Sequence, residues 1–318
     1  MIHEVSLTLS KEMHTLSIQA NESGIRLDRY LTTMLSDISR TAIQQLIEDG
    51  EVLVNGLTSK SGYFLKTGDK VQVKSLAIRE NATSITPRSL PLHIIYEDED
   101  LLVVNKAAGM VVHPAPGHYD DTLVNALVAY YPDIVRGNSG LRPGIIHRLD
   151  KDTSGLMIIA KNAFAHSALA GQMKRHEIIK RYLALVEGVV ALDQGSIDAP
   201  IGRNPRHRQQ MAVTVVRSRE ARTHFRVQER FSHHTLLLLE LETGRTHQIR
   251  VHLKAIGHPV VGDPVYGSGN IDHGLTLGRQ FLHAYQLIFT HPTKGEVMHL
   301  EAPLPEDLQA ILDQKSFL

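Results

Sequence analysis

The chain of 318 residues has no cysteine and no net formal charge, because 34 Asp and Glu balance 34 Lys and Arg. The absence of cysteine excludes disulfides, thiolate metal sites and a cysteine nucleophile. No run approaches the roughly 18 apolar residues of a membrane span, and the first residues lack the basic and apolar segments of a signal peptide. These features predict a cytoplasmic protein of two domains with no membrane partner.

The N-terminal part of the sequence predicts a short segment and then a small α/β domain. An apolar stripe with helical spacing over 25–35 predicts one helix, and an N-capping serine and a terminal glycine bound a second helix over 39–50. Two strand-like segments, V-L-V-N and K-V-Q-V, follow. We therefore predict an N-terminal segment over 1–17 and a compact domain over 18–76.

The remaining sequence predicts a linker and a larger, strand-rich domain. Residues 77–92 contain prolines and little periodicity, which is typical of an exposed linker. Strand-like segments then recur, at 101–106, 144–149, 155–161, 181–187, 197–201, 211–216, 235–242 and 282–289. Helical patterns are fewer, at 121–130, 163–175, 247–256 and 306–314. We predict an α+β domain with a large sheet over 93–318.

Positive charge is concentrated in the larger domain. Residues 140–260 contain 19 Lys and Arg against 10 Asp and Glu, and residues 202–230 contain 8 Arg against 2 Glu. Clustered arginines are typical of phosphate recognition, since the guanidinium binds phosphate oxygens bidentately. We expect Arg203, Arg206 and Arg208 to contact nucleic acid, and a solvated basic face is the alternative.

The segment G-I-I-H-R-L-D-K-D-T-S-G-L-M-I-I-A-K, residues 144–161, places many polar side chains between two apolar runs. Because unpaired buried charges are costly, these side chains are expected to be paired or to line a cleft. Asp150 and Asp152 are the candidate carboxylates for nucleophilic or acid–base chemistry, and spacing alone does not choose between them. A strand continuing to Asp150 would place Arg148 on the same face; a structural ion pair is the alternative.

Two further motifs contain basic candidate residues. K-R-Y places Lys180 and Arg181 before Tyr182, which suits a nucleotide base stacked on the ring with a phosphate nearby, although a core tyrosine is the alternative. Lys106 ends the strand V-V-N-K, where it is placed to line a cleft and is a candidate RNA contact, but its turn residues equally fit a plain strand–loop–strand.

The motif E-T-G-R-T-H-Q-I-R-V-H lies where a strand ends and a helix is predicted to begin. Arg245, His247 and Arg250 supply donors and positive charge there, and a helix start suits a phosphate. His247 and His252 are five residues apart and point to different faces of a helix, so no metal site is predicted.

Together these blocks resemble the RluA-type family of RNA pseudouridine synthases. The resemblance is carried, in order, by V-V-N-K-x-x-G, H-R-L-D-K-D-T-S-G, K-R-Y, G-R-T-H-Q-I-R-V-H, H-P-V-V-G-D-P-V-Y-G and L-H-A, and it covers residues from about 90 to 305. Residues 25–74 resemble the S4 RNA-binding module. The two modules together are most similar to the D-type, large-subunit branch of the family. Ala107 departs from the proline usual in the first block.

The resemblance implies a mixed, mainly antiparallel sheet with a central cleft, beside a small S4-like domain. It implies that Asp150, and not Asp152, is the catalytic residue, that Arg250 pairs with it, that Arg148 displaces the target uridine and that Tyr182 packs against the uracil. In the S4-like module, the expected RNA contacts are Arg26, Arg29 and Arg40. The implied partner is 23S ribosomal RNA at the helix 69 stem-loop in an assembling large subunit. We expect a monomer without a cofactor.

The predicted reaction is isomerisation of uridine to pseudouridine. The target uridine must be flipped out, because stacking shields its glycosidic bond. Asp150 then attacks either the ribose C1′ or the uracil C6, and water must be excluded so that the freed uracil rejoins through C5. Two alternatives are a non-catalytic RNA-binding protein of ribosome assembly and an N-glycosidase, which would release free uracil.

Overall fold

The computed structural model describes residues 14–35, 40–73, 85–115, 117–135, 143–207, 210–268 and 277–314. Within them the chain forms two compact units, the first before residue 85 and the second from Ile85 onward. In these parts of the chain, every helix is too short or too polar to cross a bilayer.

The smaller unit packs two helices on a four-stranded antiparallel sheet of order β1–β4–β2–β3. Its elements are β1 (His14–Ser17), α1 (Leu27–Met34), α2 (Arg40–Glu48), β2 (Val52–Val54), β3 (Leu57–Thr58) and β4 (Lys70–Val73). The two predicted helices are confirmed. The core forms because alternate residues of β2 and β4 point at the apolar stripe of the helices.

The larger unit is built on a nine-stranded sheet of order β5–β6–β7–β14–β8–β13–β12–β9, with β15 added on β14. Its strands are β5 (Ile94–Glu97), β6 (Leu101–Lys106), β7 (Ser154–Ala160), β8 (Ile179–Glu187), β9 (Gln194–Asp198), β12 (Arg222–Arg230), β13 (His234–Leu241), β14 (Leu282–Thr290) and β15 (Val297–Glu301). Only the β7–β14 pair is parallel among the strand pairs of this sheet in the described residues. The predicted mixed, mainly antiparallel sheet is confirmed.

Helices and a separate ribbon surround this sheet. They are α3 (Leu123–Tyr130), α4 (Ala163–Lys174), α5 (Gln248–Ala255), α6 (Glu306–Asp313) and the two-stranded ribbon of β10 (Ile201–Arg203) and β11 (Met211–Val213). Both faces of the central strands are buried: along β6, Leu102 and Val104 enter one core, and Leu101 and Val103 enter the other. A strand buried on both faces has a nearly continuous apolar sequence, as β6 and β7 do.

The strand predicted over 144–149 is wrong beyond its first residues. Gly144 accepts a hydrogen bond from the Ala160 N–H at 2.8 Å, and Ile145 forms a single bridge to Ile159. At the next position the imidazole Nε2 of His147, and not a backbone carbonyl, accepts from the Ile158 N–H at 3.1 Å. Because a side chain takes the place of the backbone, the chain leaves the strand direction and residues 146–150 are irregular.

The end of the predicted linker also differs from the expectation. Ile85 is buried in the core of the larger unit, and the Arg88 N–H donates to the Asn125 carbonyl in α3 at 3.1 Å. Ile85 therefore attaches the end of the predicted linker to the larger unit, while residues 86–89 and 91 are exposed, as the linker prediction expected. The preceding residues of the predicted linker, 77–84, lie outside the described ranges.

Candidate active site

A cleft of about 560 Å³ opens in the larger unit around the irregular segment 146–150. The start of β8 and the connection from β13 to α5 form its other walls. Three of the predicted motifs, H-R-L-D, K-R-Y and G-R-T-H-Q-I-R, therefore meet at one place, although they are far apart in the sequence.

Asp150 and Arg250 form the central ion pair of this cleft. The Nη1 atom of Arg250 lies 3.0 Å from Oδ2 of Asp150, although 100 positions separate the two residues. The Arg250 side chain is 5% exposed and that of Asp150 is 19% exposed, so the carboxylate reaches the cleft and the guanidinium lies behind it. The first turn of α5 directs Arg250 at the carboxylate.

Asp263 holds the other edge of the same guanidinium. Its Oδ2 lies 2.6 Å from Arg250 Nε and its Oδ1 lies 2.8 Å from Nη2, and the Asp263 side chain is fully buried. Although burial alone would lower the pKa of Arg250, hydrogen bonds and charges from Asp263 and Asp150 raise it above its ordinary value. Arg250 is therefore a permanent cation between two carboxylates.

The loop that carries Asp150 is held by tight backbone contacts. The Thr153 N–H donates to the Asp150 carbonyl at 3.2 Å, and the Gly109 N–H donates to the Lys151 carbonyl at 3.0 Å. Gly155 has a φ of 120°, and a Cβ there would lie 2.3 Å from the Ala284 carbonyl oxygen. The T-S-G and L-H-A blocks thus fit together only with glycine, and this contact fixes where the Asp150 loop leaves β7.

Tyr182 lies in β8, is buried and lines the cleft. It also belongs to the hydrophobic core, so the two predicted roles of this ring, core and cleft, are compatible. Burial raises the pKa of Tyr182, with a smaller contribution from Asp150, and the hydroxyl keeps its proton at neutral pH.

Arg148 lines the cleft and is exposed, but the partner of Asp150 is Arg250. Within the described ranges, Arg148 forms no ion pair or hydrogen bond. The prediction that strand geometry places it beside Asp150 has no support, because residues 146–150 are not a strand. Arg148 is instead a cation free to meet a ligand in the cleft.

Lys106 was predicted to contact RNA, and this is wrong. It is 2% exposed, and its ammonium donates to the carbonyl oxygens of Ala107, Met110 and Lys151 at 2.8 to 2.9 Å. Burial lowers the pKa of Lys106 to about 7, and the carboxylates of Asp152 and Asp150 oppose this shift. Its three donors are all satisfied by backbone, so Lys106 fastens the loop after β6 to the Asp150 loop.

The two basic residues of K-R-Y point to opposite faces of β8, because strand side chains alternate. Lys180 is buried and lines the cleft, with its Nζ 3.2 Å from the Ile178 carbonyl. Arg181 does not line it and donates to Glu240 at 2.9 Å and to Gln286 at 2.8 Å. Of the two, only Lys180 is brought to the site.

The remaining predicted contacts lie at several places. Arg245 and His247 line the cleft. Arg203 and Arg206 are exposed near the ribbon, and Arg208 lies outside the described residues. In the smaller unit, Arg29 is exposed and Arg26 forms a bidentate pair with Asp28 at 3.0 Å, while the side chain of Arg40 lies outside the described part.

Two residues of the site were not predicted from the sequence, Asp263 and Tyr266. Both lie in the block H-P-V-V-G-D-P-V-Y-G, which contributed to the resemblance only as a pattern. A buried acidic residue between two prolines was the available signal, since such a group requires a cationic partner.

Comparisons with known proteins support the resemblance that the motif blocks show. A family model described as RNA pseudouridylate synthase matches residues 100–255, and a model of the S4 domain matches residues 25–71. The uncharacterized RNA pseudouridine synthase YlyB of Bacillus subtilis is 46% identical over 95% of this chain and 98% of its own length. A ribosomal large subunit pseudouridine synthase D of Nitrosomonas europaea is 44% identical over 93% of this chain and 86% of its own.

Solved structures show the same relation. Human RNA Pseudouridylate Synthase Domain Containing 1 is similar with a TM-score of 0.55 and 32% identity, over 68% of this chain and 84% of its own. The resemblance predicted from the motif blocks is thus confirmed by relatives that match nearly the whole chain. This chain belongs to the RNA pseudouridylate synthase family, and it is an RNA pseudouridine synthase with an S4 domain.

Proposed function

We propose that this enzyme converts uridine to pseudouridine in large-subunit (23S) ribosomal RNA, with Asp150 as the nucleophile. The observation that carries the proposal is a half-buried carboxylate, held at 3.0 Å by a buried arginine, in a cleft that Tyr182 also lines. The relatives named ribosomal large subunit pseudouridine synthase D support the choice of RNA. The helix 69 stem-loop in an assembling large subunit is the proposed target, and the enzyme acts in the cytoplasm as a monomer.

The chemistry follows from the position of the carboxylate. In one route an oxygen of Asp150 bonds to the ribose C1′, the C1′–N1 bond breaks, and its electron pair stays on the uracil. The uracil turns, C5 bonds to C1′, and the carboxylate leaves with the electrons of its ester bond. N1 gains a proton and C5 loses one, so the reaction is a net isomerisation. Attack at C6 is the other route, and it uses the same oxygen.

The walls of the cleft supply the other requirements. Arg148 is exposed and unpaired within the described ranges, so it is available to fill the place of the flipped uridine. The buried ring of Tyr182 offers a face on which the detached uracil is retained. We propose that exposed arginines, Arg203 and Arg206 in the larger unit and Arg29 in the smaller, bind phosphates.

Asp150→Asn tests the nucleophile, with Asp152→Asn as the matched control two positions away. With RNA that carries tritium at the uridine C5, we expect Asp150→Asn to reduce tritium release by at least roughly 10³-fold, because an amide cannot attack. RNA binding should persist. Asp152→Asn should stay within about threefold of the unmodified enzyme.

Three outcomes would contradict the proposal. Tritium release by Asp150→Asn would exclude this nucleophile, and release of free uracil would identify an N-glycosidase. A folded native protein that binds the RNA but releases no tritium would indicate a non-catalytic assembly protein. Chemical mapping of pseudouridine in 23S RNA from cells with and without the protein tests the helix 69 site.

A further inference from the structure

The two oxygens of the Asp150 carboxylate have different surroundings. Oδ2 is 3.0 Å from Arg250 Nη1, whereas Oδ1 is 4.0 Å from His247 Nε2. Hydrogen bonds between such atoms are usually about 2.7–3.2 Å long. In this structure the carboxylate therefore accepts a hydrogen bond at Oδ2. The Nε2 atom of His247 faces Oδ1 from about 1 Å beyond hydrogen-bonding distance.

Tyr266 determines which nitrogen of His247 carries the proton. The Tyr266 hydroxyl is buried, accepts from the Met211 N–H at 2.9 Å, and lies 2.8 Å from His247 Nδ1. A buried hydroxyl also needs an acceptor for its own proton, and within the described ranges Nδ1 is the acceptor it has. Because Nδ1 accepts, a neutral ring carries its proton on Nε2, which faces Asp150. Burial lowers the pKa of His247, although Asp150 opposes this, so the ring is neutral at neutral pH.

The backbone at His247 is unusual and sets the direction of the ring. Its φ of 55° and ψ of 22° are left-handed, at the residue that precedes α5. Residues other than glycine are uncommon in this conformation, although asparagine, aspartate and histidine are enriched in it, and such residues cluster at functional sites. Asp263 holds the turn that carries Tyr266, the residue that contacts the His247 ring. Its Oδ1 accepts from the N–H groups of Val265 and Tyr266 at 2.9 and 3.0 Å.

We infer that His247 is a positioning residue that donates its Nε2 proton to Oδ1 of Asp150 when RNA occupies the cleft, with Tyr266 holding its ring. This inference rests on the proposed role of Asp150. With donors on both oxygens, the carboxylate no longer rotates, and the remaining lone pair of Oδ1 is aimed at the substrate. The same donor stabilises the carboxylate when its bond to the substrate breaks. His247 itself forms no bond to the substrate and transfers no proton.

Two substitutions at one position separate this role from a structural one. His247→Asn tolerates the left-handed backbone and keeps a group at the Nδ1 position for Tyr266, but it does not reach Asp150. His247→Gln places an amide N–H where Nε2 lies. Loss of one hydrogen bond to a charged group in the transition state corresponds to a fall in rate of roughly 10- to 100-fold. We expect His247→Asn to lower kcat by that factor with an unchanged Tm, and His247→Gln to recover a large part of kcat.

Tyr266→Phe is a third variant. It removes the hydroxyl but keeps the ring, whose centre lies 5.0 Å from the guanidinium carbon of Arg250. We expect a fall in kcat smaller than that of His247→Asn. A kcat of His247→Asn equal to that of the unmodified enzyme would overturn the inference, and so would a His247→Gln enzyme no faster than His247→Asn. In both cases Asp150→Asn would still be inactive, so the proposed nucleophile would stand. Failure of the proposed function would appear instead as an inactive unmodified enzyme.

Discussion

Two aspartates of the larger unit, Asp98 and Asp150, are paired with a cation, face a histidine and are almost equally exposed, at 17% and 19%. Asp98 is saturated: Oδ1 accepts from the backbone of Asp100 and Leu101, and Oδ2 accepts from Tyr96, His291 and Lys294 at 2.7 to 2.9 Å. Asp150 has a single close side-chain donor, Arg250. The two carboxylates thus have similar burial and similar charged neighbours. They differ because Asp150 has an oxygen without a close donor in the cleft.

The hydrogen bonds around Asp98 also bear on a nearby group of side chains that has the composition of a metal site. Asp98, Asp100 and His291 offer ligand atoms within 4.8 Å of one another. However, His291 Nδ1 accepts from the backbone of Lys294 at 3.1 Å, so its Nε2 donates to Asp98. These atoms already serve hydrogen bonds that close a turn, and Asp98 does not line the cleft. The comparison indicates that unfilled hydrogen-bonding capacity, more than charge, distinguishes Asp150, the proposed nucleophile, from Asp98.

The largest expected effect comes from removing the cation that pairs with Asp150. Arg250→Ala leaves Asp263 buried without its cation, and removal of one partner of a buried pair costs about 3–5 kcal/mol of unfolding free energy. Tritium release should be lost as well. Chemical denaturation measures the first effect. The double variant Arg250→Ala, Asp263→Ala is the control, and it should recover part of the stability but no activity.

A smaller effect is expected at the saturated aspartate. Asp98→Asn should lower the unfolding free energy by about 1–3 kcal/mol, because the amide leaves donors unsatisfied, while kcat stays unchanged. A drop in kcat at full occupancy of the folded state would contradict the division between the two aspartates.

The pH dependence of Asp98 has a definite sign. Although burial alone would raise the pKa of Asp98, hydrogen bonds from Lys294 and the backbone hold it well below its usual range. A carboxylate with a depressed folded-state pKa stabilises the protein above its unfolded pKa and loses that contribution as the pH falls. The stability difference between the unmodified protein and Asp98→Asn should therefore shrink below about pH 4.

The smallest effect concerns charges that lie fully on the surface. Arg203→Ala and Arg206→Ala should each weaken RNA binding and reduce the slope of log K against log salt by about 1, with kcat unchanged. Arg175→Ala is the matched control, because Arg175 is exposed but paired with Glu177 at 2.7 Å. Equal slopes for all three variants would indicate a solvated basic face around the ribbon.

The sequence alone determined the family, the two modules and the strand-rich class, because motif order and apolar periodicity are local properties of the chain. β6 and β7 were predictable since strands buried on both faces have continuous apolar sequences. Asp150 was separable from Asp152 only through the resemblance.

The tertiary structure decided which side chains meet. The local strand pattern would have aligned Arg148 with Asp150, but the imidazole of His147 ends that strand pairing. The structure places Arg250 beside Asp150 instead, as the resemblance implied. Lys106 is buried among carbonyl oxygens, and Arg181 points away from the cleft. A contact across 100 residues, the direction of a side chain and the saturation of its donors depend on packing. Local sequence therefore shows which chemical groups are present, and only the folded chain shows which of them are left open to a substrate.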